Sequence, residues 1–295
     1  MKLVSHKAVL IGILLCFCCK GALAEHPIEV QRLTANGKYF EALTLYEQLP
    51  RRTVNSEATE AAGRSAWGLG MSERAAEFFD TVLRDESLSA TKRARLLLMR
   101  GTIELQEHRP RVAILFAERA YEQLTEPTKL RGAVLLLWGD AFAQLKTYGP
   151  ARKKFEEAIE EISHELVPEV ALRLAIAARA LGETDAALAY LRKVPVSHSR
   201  APEAIRALAE LSLEREDYPA VHAWLQRGVE LYPDSFLDSW VQYALVRAAA
   251  AAGEYGEVRK LREEALKNYP PSDSWVSLLE AIAEKAEWNH LKQDE

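Results

Sequence analysis

A small residue recurs along most of this chain at intervals of 33 to 38 residues. The positions are Ala42, Ala75, Ala113, Ala151, Ala187, Val221 and Val258. Twelve residues before the last six of these lies a second set, which is Gly63, Gly101, Gly139, Ala175, Ala209 and Val246. Such a period is typical of solenoids, in which short units stack on their neighbours. It therefore constrains the fold more than the length of 295 residues, which alone would suggest roughly two domains of about 150 residues.

Turn signals and composition indicate that each unit is a pair of helices. Asn36-Gly37-Lys38 and Gly253-Glu254-Tyr255 are examples of the turns that precede the recurring small residue, and Pro233 and Pro270 close the last two units. The chain has only 14 Gly and 12 Pro, while Ala, Leu, Glu and Arg recur throughout. One amphipathic helix pair cannot bury its apolar face alone, so stacked pairs share a continuous core.

The segment from Trp138 carries the most specific pattern in the chain. Trp138-Gly139 is followed at fixed spacings by Phe142, Tyr148, Ala151, Phe155 and Ala158. This order resembles the tetratricopeptide repeat (TPR), a unit of 34 residues. The resemblance implies an all-α fold, a right-handed α-solenoid of about seven TPR helical hairpins plus a C-terminal capping helix. A bulky residue at Gly139, where the helices of a hairpin cross, should cost about 1–3 kcal/mol.

The repeats extend from Pro27 to Pro270, so we predict a solenoid over residues 25–271 and a capping segment over residues 272–295. Ser272 or Ser274 is the candidate N-cap of a last helix. Apolar residues on one face of that helix, with a polar outer face, are expected of a cap, and the last five residues are expected to fray. The apolar residues are Trp275, Val276, Leu278, Leu279 and Ile282.

Residues 1–24 have the pattern of a cleaved secretory signal peptide. Lys2 and Lys7 precede the apolar run Ala8–Cys19, which has 12 residues and is too short to span a bilayer. Ala22-Leu23-Ala24 supplies the small residues that signal peptidase accepts, which predicts a mature chain beginning at Glu25. Export, most simply to a bacterial periplasm, follows from this pattern. An uncleaved anchor is the alternative, because Lys20 lies between the apolar run and the cleavage site.

The positions of the cysteines and the net charge argue against several kinds of site and partner for the mature chain. All three cysteines, Cys16, Cys18 and Cys19, lie in the predicted signal, so neither a Cys nucleophile nor a thiolate metal site would remain. Phe17 does not fit a lipoprotein signal, which argues against a lipid anchor. Loss of the three lysines of the signal changes the net charge from −5 to −8. This acidity disfavours nucleic acid and anionic lipid as partners.

No motif for catalysis or for a cofactor is present. The seven histidines include no HExxH pair, and the sequence has no GxSxG, P-loop or GxGxxG motif. Paired carboxylates, which a glycosidase needs, occur at Glu156-Glu157, Glu160-Glu161 and Glu263-Glu264. Lys or Arg three or four residues away makes solvated helix faces the simpler interpretation. We predict no enzyme, no metal and no cofactor, and a hydrolase in the groove is the less favoured alternative.

The family resemblance supplies a set of candidate partner-binding residues. In TPR proteins the first helix of each hairpin lines a concave groove that holds a peptide. Matching positions here are Arg64, Trp67, Arg95, Thr102, Leu136, Asp140, Ile176, Arg179, Arg206, Glu210, Tyr243 and Arg247. Arg and aromatic side chains at such positions are common binding hot spots. Groove solvation or packing between repeats is the alternative role for each of them.

The sequence lacks the carboxylate clamp of one TPR subfamily. TPR co-chaperones clamp a terminal carboxylate with Lys and Asn, whereas the matching pairs here are Glu60 with Arg64, Leu98 with Thr102 and Leu136 with Asp140. The six tryptophans are expected in cores or caps more than in a sugar-stacking platform. They are Trp67, Trp138, Trp224, Trp240, Trp275 and Trp288.

Three function classes follow from these observations. The favoured hypothesis is a non-catalytic scaffold or adaptor of the cell envelope that holds a partner polypeptide in its groove. A related alternative is an assembly chaperone or accessory factor for outer-membrane proteins, polysaccharide export or cell-wall synthesis. The second hypothesis is an enzyme with a carboxylate pair in the groove. End-to-end self-assembly is the third, and the predicted polar end of the last helix opposes it. The identity of the partner and the oligomeric state stay open.

Overall fold

The computed structural model describes residues 26–293, and the predicted signal peptide lies outside them. Fifteen α-helices and three short 3₁₀ helices make up this described part of the chain, which contains no β-strand. The residues divide into two compact units, the first ending at Lys146 and the second beginning at Thr147. The all-α fold class predicted from the repeat is confirmed.

The first unit holds three helical hairpins and the first helix of the fourth repeat. Its helices are α1 (residues 26–35), α2 (Tyr39–Gln48), α3 (Ser56–Gly68), α4 (Ser72–Leu83), α5 (Ala90–Gln106), α6 (Pro110–Glu122) and α7 (Lys129–Gln144). A 3₁₀ turn at Arg51–Thr53 lies between α2 and α3. From α2 to α7 each helix packs on the next along the chain, and α5 also packs on α7, so that these two first helices contact each other.

The second unit continues the same alternation. Its helices are α8 (Tyr148–Ile159), α9 (Val167–Ala180), α10 (Thr184–Leu191), α11 (Ala201–Glu214), α12 (Tyr218–Leu231), α13 (Ser239–Ala252), α14 (Tyr255–Asn268) and α15 (Ser274–Gln293). Short 3₁₀ helices at His164–Leu166 and Pro233–Ser235 precede α9 and α13. The last helix packs on both α13 and α14.

The recurring small residue occupies the same place in every repeat. Each second helix begins three residues before it, as Tyr39 does before Ala42 and Thr184 before Ala187. All seven of these side chains are fully buried. The register of the repeat, inferred from spacing alone, therefore matches the register of the helices.

The second set of small residues lies where helices pack closely. A Cβ atom on Gly63 would lie 2.7 Å from Cε1 of Phe79, and one on Gly101 would lie 2.7 Å from Cδ2 of Leu137. Both distances are shorter than any normal carbon contact. Ala209 and Val246 hold the corresponding places in the second unit and are also buried.

Every hairpin turns at a residue in the left-handed conformation. Four of the seven are glycines, with φ between 73° and 76°, and the others are His108, Lys146 and Glu216, with φ between 56° and 59°. The backbone N–H of the residue after it donates a hydrogen bond to a carbonyl near the end of the first helix. The amide of Glu183, for example, donates to the carbonyl of Ala178 at 2.9 Å, as in a Schellman motif.

The apolar core is divided into clusters, most of them formed by one hairpin and the first helix of the next. In the first unit, Phe79 of α4 lies in a cluster built from α2, α3, α4 and α5. In the second unit, Leu225 of α12 packs with residues of α11 and α13. Another cluster joins α13 and α14 to α15 through Leu279 and Ala283. This arrangement follows from repeats that cannot bury their apolar faces alone.

A charged cluster lies at the turn between α5 and α6. Glu104 is only 4% exposed and accepts hydrogen bonds from Arg100 at 2.5 Å and from Arg109. Arg100 also pairs with Asp80 of α4 at 2.9 Å and lies over the ring of Phe116. Burial disfavours the Glu104 carboxylate, but the two guanidinium groups outweigh it and lower its pKa.

Helix α15 differs from its prediction in two details. The predicted N-cap, Ser272 or Ser274, is wrong, because the Oδ1 atom of Asp273 accepts hydrogen bonds from the amides of Trp275 and Val276, at 2.8 and 3.4 Å. The Ser239 hydroxyl is the main cause that lowers the pKa of Asp273, and burial opposes it. The helix also continues to Gln293, past the predicted start of fraying at residue 291.

The outer face of α15 is less polar than expected of a cap. Val276 and Leu279 are buried, whereas Leu278, Trp288 and Leu291 are exposed. The helix also repeats the start of α13, since Asp-Ser-Trp-Val occurs at residues 238–241 and again at 273–276. It therefore begins as the first helix of an eighth repeat.

Candidate functional site

All twelve predicted partner-binding residues lie on first helices. They are distributed over α3, α5, α7, α9, α11 and α13, two on each helix. The structure brings three of them together around one cleft in the first unit and four around another in the second. The remaining five are placed elsewhere.

The first cleft has a volume of about 780 Å³ and lies between α1, α3 and α5. Arg64, Trp67 and Arg95 line it, as predicted positions, together with residues that the sequence did not single out. These additional residues include Gln31, Tyr39, Glu57 and Met99. Its walls thus combine apolar surface with both signs of charge.

Most charged side chains that line the first cleft already form ion pairs. The nearly buried Glu60 binds Arg64 and lies 3.7 Å from Nζ of Lys92. The indole N–H of Trp67 donates to the side-chain oxygen of Gln106 at 2.9 Å, which fixes the ring. Arg95 is exposed, and no carboxylate of residues 26–293 pairs with it. Arg95 is therefore the cation of this cleft that is open to a ligand.

Three predicted residues of the first unit do not line this cleft. Thr102 is half-buried, and its hydroxyl donates to the carbonyl of Leu98 within the same helix at 2.8 Å. Leu136 and Asp140 are half-buried on α7. None of these three residues lines the cleft together with Arg64, Trp67 and Arg95.

The second cleft, of about 270 Å³, lies among the first helices α9, α11 and α13 and helix α15. The predicted residues Arg179, Glu210, Tyr243 and Arg247 line it. Leu213, Glu214, Trp240 and Trp275 complete its walls. Trp275 lies on the predicted capping helix. The prediction of a capping role did not include its contact with Tyr243 of the first helix α13.

Two arginines of the second cleft have different partners. Arg179 donates to Glu210 at 3.0 Å and also to Glu214. Burial opposes its charge, but these carboxylates raise its pKa. Arg247 instead donates to the phenol oxygens of Tyr243 and Tyr218, at 3.3 and 3.2 Å.

Two predicted residues of the second unit stand apart from this cleft. Arg206 pairs with Asp238, donates to the carbonyl of Ser235 at 2.9 Å, and lies 5.2 Å from the rings of both Phe236 and Trp240. These contacts tie α11 to the start of α13, which is a packing role. Ile176 is 54% exposed on α9 and does not line the cleft.

The tryptophans divide into two groups. Trp67, Trp138, Trp224 and Trp240 pack partly buried against core clusters, as predicted. Trp275 and Trp288 are 38% and 60% exposed. Trp275 lies against Tyr243, with ring centroids 5.0 Å apart.

The paired carboxylates that suggested a hydrolase lie outside both clefts. Glu157 pairs with Lys154 at 2.8 Å, and Glu156 lies 3.6 Å from Arg152 and accepts a bond from Tyr190. Within residues 26–293 no three His, Cys, Asp or Glu side chains converge as a metal site would require. Over the same range, no helix is both long and apolar enough to cross a bilayer.

A family model described as the N-terminal domain of the T7SS, ESX-1 secretion system protein EccA1 matches residues 73–216. No functionally curated protein matches the sequence.

Three solved structures illustrate the similarity of the fold. The C-terminal part of a TPR protein from Cytophaga hutchinsonii is 15% identical with a TM-score of 0.67, covering 86% of this chain and 99% of that one. Pseudomonas aeruginosa PilF is 18% identical with a TM-score of 0.58, covering 74% and 96%. A TPR protein from Parabacteroides merdae is 13% identical with a TM-score of 0.56, covering 90% and 99%. The chain has the α-solenoid fold of these TPR proteins.

Proposed function

We propose that this TPR solenoid is a non-catalytic scaffold that binds a partner polypeptide along its first helices. The observation that carries the proposal is the pair of clefts on those helices, each lined by a Trp and by Arg side chains. Trp and Arg dominate the binding energy of many protein interfaces. A polypeptide segment fits such a cleft because one or a few of its side chains can enter it.

The proposed place of action is the cell envelope. The predicted signal peptide over residues 1–24 supports export, and the acidic charge suits a protein that avoids anionic membrane surfaces. The matching family model is described as the N-terminal domain of a secretion system protein. Sequencing the N-terminus of the protein isolated from the periplasm should give Glu25 first. A chain found only in the cytoplasm with residues 1–24 intact would contradict export.

Site-specific cross-linking in cells tests the binding function. A photoreactive amino acid in place of Arg95 lies in the first cleft, whereas the same replacement at Arg111 lies exposed on the second helix α6. We expect a covalent adduct of defined mass from position 95 and none from position 111. Equal labelling from both positions, or no adduct from position 95, would refute binding in the cleft.

An adaptor and an assembly chaperone differ in the state of the partner that they bind. The adaptor binds a folded or stably extended partner, while the chaperone binds it before it folds. Cross-linking from position 95 during a pulse of new protein synthesis, and again after a chase, separates the two. An adduct that disappears during the chase favours the chaperone. A hydrolase is disfavoured because three of the four carboxylates that line the clefts, Glu60, Glu210 and Glu214, are each bound to an arginine. The fourth, Glu57, lies 4.0 Å from Nζ of Lys92.

A further inference from the structure

The second cleft contains a positive charge that no carboxylate of the described residues neutralises. The guanidinium of Arg247 donates only to the phenol oxygens of Tyr243 and Tyr218. Phenols position the group without cancelling its charge. By contrast, Arg179 is paired with Glu210 and Glu214, and Arg206 is paired with Asp238.

The geometry of Arg247 leaves donors for a ligand. A guanidinium has five N–H groups, and the two tyrosines take one from each terminal nitrogen. Arg247 is half-buried, and a partly desolvated charge gains more from a counter-ion than one in bulk water. Since the tyrosines already hold the side chain in place, little rotamer entropy is lost when a planar anion binds.

Aromatic side chains form the walls beside this charge. Trp240 and Tyr243 come from α13, and Trp275 comes from α15. The rings of Tyr243 and Trp275 are tilted by 43° with centroids 5.0 Å apart, and Trp275 is 38% exposed. The volume of about 270 Å³ suits a few side chains of an extended segment. Aromatic surface next to a cation favours a ligand with an apolar group beside an anion.

We propose that the second cleft binds a segment of the partner in which a carboxylate side chain adjoins an aromatic or aliphatic one. The carboxylate accepts hydrogen bonds from the remaining N–H groups of Arg247, and the apolar side chain packs on Trp240, Tyr243 and Trp275. This specificity rests on the proposed function, because it takes a polypeptide as the ligand. It adds the chemical class of the segment that the cleft selects.

Peptide binding by the full-length mature chain tests the inference. Three fluorescein-labelled nonapeptide pools share a central Phe and differ only in the next residue, which is Asp, Asn or Lys, and fluorescence anisotropy measures their affinity. We expect the Asp pool to bind about tenfold more tightly than the Asn pool, since a charge-assisted bond to arginine is lost, and the Lys pool to bind most weakly.

Variants assign the preference to one side chain. Arg247→Gln should abolish the preference for Asp over Asn. Arg227→Gln, which removes an exposed arginine on the second helix α12, should leave it unchanged. Trp275→Ala should weaken all pools by a similar factor without changing the preference, and circular dichroism shows whether each variant folds. Because Arg227 carries the same charge outside the cleft, it controls for net charge.

Several outcomes would overturn the inference. Equal affinity for the three pools would do so, and so would a preference for Asp that persists in Arg247→Gln. If no pool binds while position 95 still cross-links a partner, the proposed function stands and this specificity fails. If neither experiment detects a ligand, the binding function itself fails.

Discussion

At the scale of single residues, the turns offer a direct test of backbone energetics. Glu216 has a φ of 57° and Gly182 a φ of 76° at equivalent positions of two turns. A side chain in the left-handed region costs roughly 1–2 kcal/mol, and the added freedom of glycine in the unfolded chain offsets part of this. We expect Glu216→Gly to raise the free energy of unfolding by about 0.5–1 kcal/mol in urea denaturation.

The reverse change, Gly182→Ala, can be measured by the same urea denaturation. A Cβ on Gly182 would meet no atom within 4 Å, so Gly182→Ala changes only the backbone preference. We expect it to lower the free energy of unfolding by about 1 kcal/mol. If both variants match the wild type, the left-handed conformation carries no cost here.

Close approach between helices gives a second prediction. Gly63→Ala would place a methyl group 2.7 Å from the ring of Phe79. We expect a loss of about 1–3 kcal/mol from overpacking, reduced by the better helix propensity of alanine. Gly149→Ala on α8, where a Cβ meets nothing within 4 Å, is the matched control and should be neutral or slightly stabilising. A stabilised Gly63→Ala variant would show that Phe79 moves without cost.

At the scale of helices, the Glu104 cluster predicts a pH dependence. Because the folded-state pKa of Glu104 is lowered, its contribution to stability is complete above the ordinary value of 4.5 and is lost as the pH falls through the lowered pKa. Glu104→Gln should therefore cost about 2–3 kcal/mol at pH 7 and less near pH 3. Urea denaturation at both pH values measures the difference.

An exposed carboxylate serves as the control for that prediction. Glu77 on α4 is exposed, so Glu77→Gln should change stability by less than about 0.5 kcal/mol at either pH. A cost for Glu104→Gln that stays constant between pH 7 and pH 3 would show that ionisation of Glu104 does not stabilise the fold.

Two adjacent leucines of α15 test how this helix is attached. Leu279 is fully buried against α13 and α14, whereas Leu278 is 49% exposed. Leu279→Ala should cost about 2–4 kcal/mol, and Leu278→Ala should cost less than about 0.5 kcal/mol. Thermal unfolding of both variants measures this. Similar melting temperatures would mean that α15 is detached in solution.

The sequence predicts most of the helices because the recurring small residue must be buried at one fixed place in each repeat. It does not predict the cap of α15, because Ser272, Asp273 and Ser274 are all good N-cap residues and only the geometry selects Asp273. The repeated Asp-Ser-Trp-Val at residues 238–241 and 273–276 was the available signal for α15 as a further first helix. It places Trp275 where Trp240 lies in α13.

At the scale of the molecule, the sequence identifies which helices face a ligand but not which side chains are available. Arg95, Arg179, Arg206 and Arg247 look equivalent in the sequence. Contacts between residues about 30 positions apart distinguish them: Arg179 reaches Glu210 and Arg206 reaches Asp238, whereas Arg247 reaches only tyrosines. Such distances depend on how consecutive repeats stack, which periodicity alone does not specify.

The division of the core into clusters has a mechanical consequence. Most clusters join one hairpin to the next first helix, so pulling a hairpin away by force exposes the apolar side of its neighbour alone. Stretched by its ends in an optical trap, each compact unit should then lengthen in successive steps rather than in one rupture. A polypeptide bound across several first helices of one unit would make their hairpins unfold together. The steps would then merge, and the force at which unfolding begins would rise.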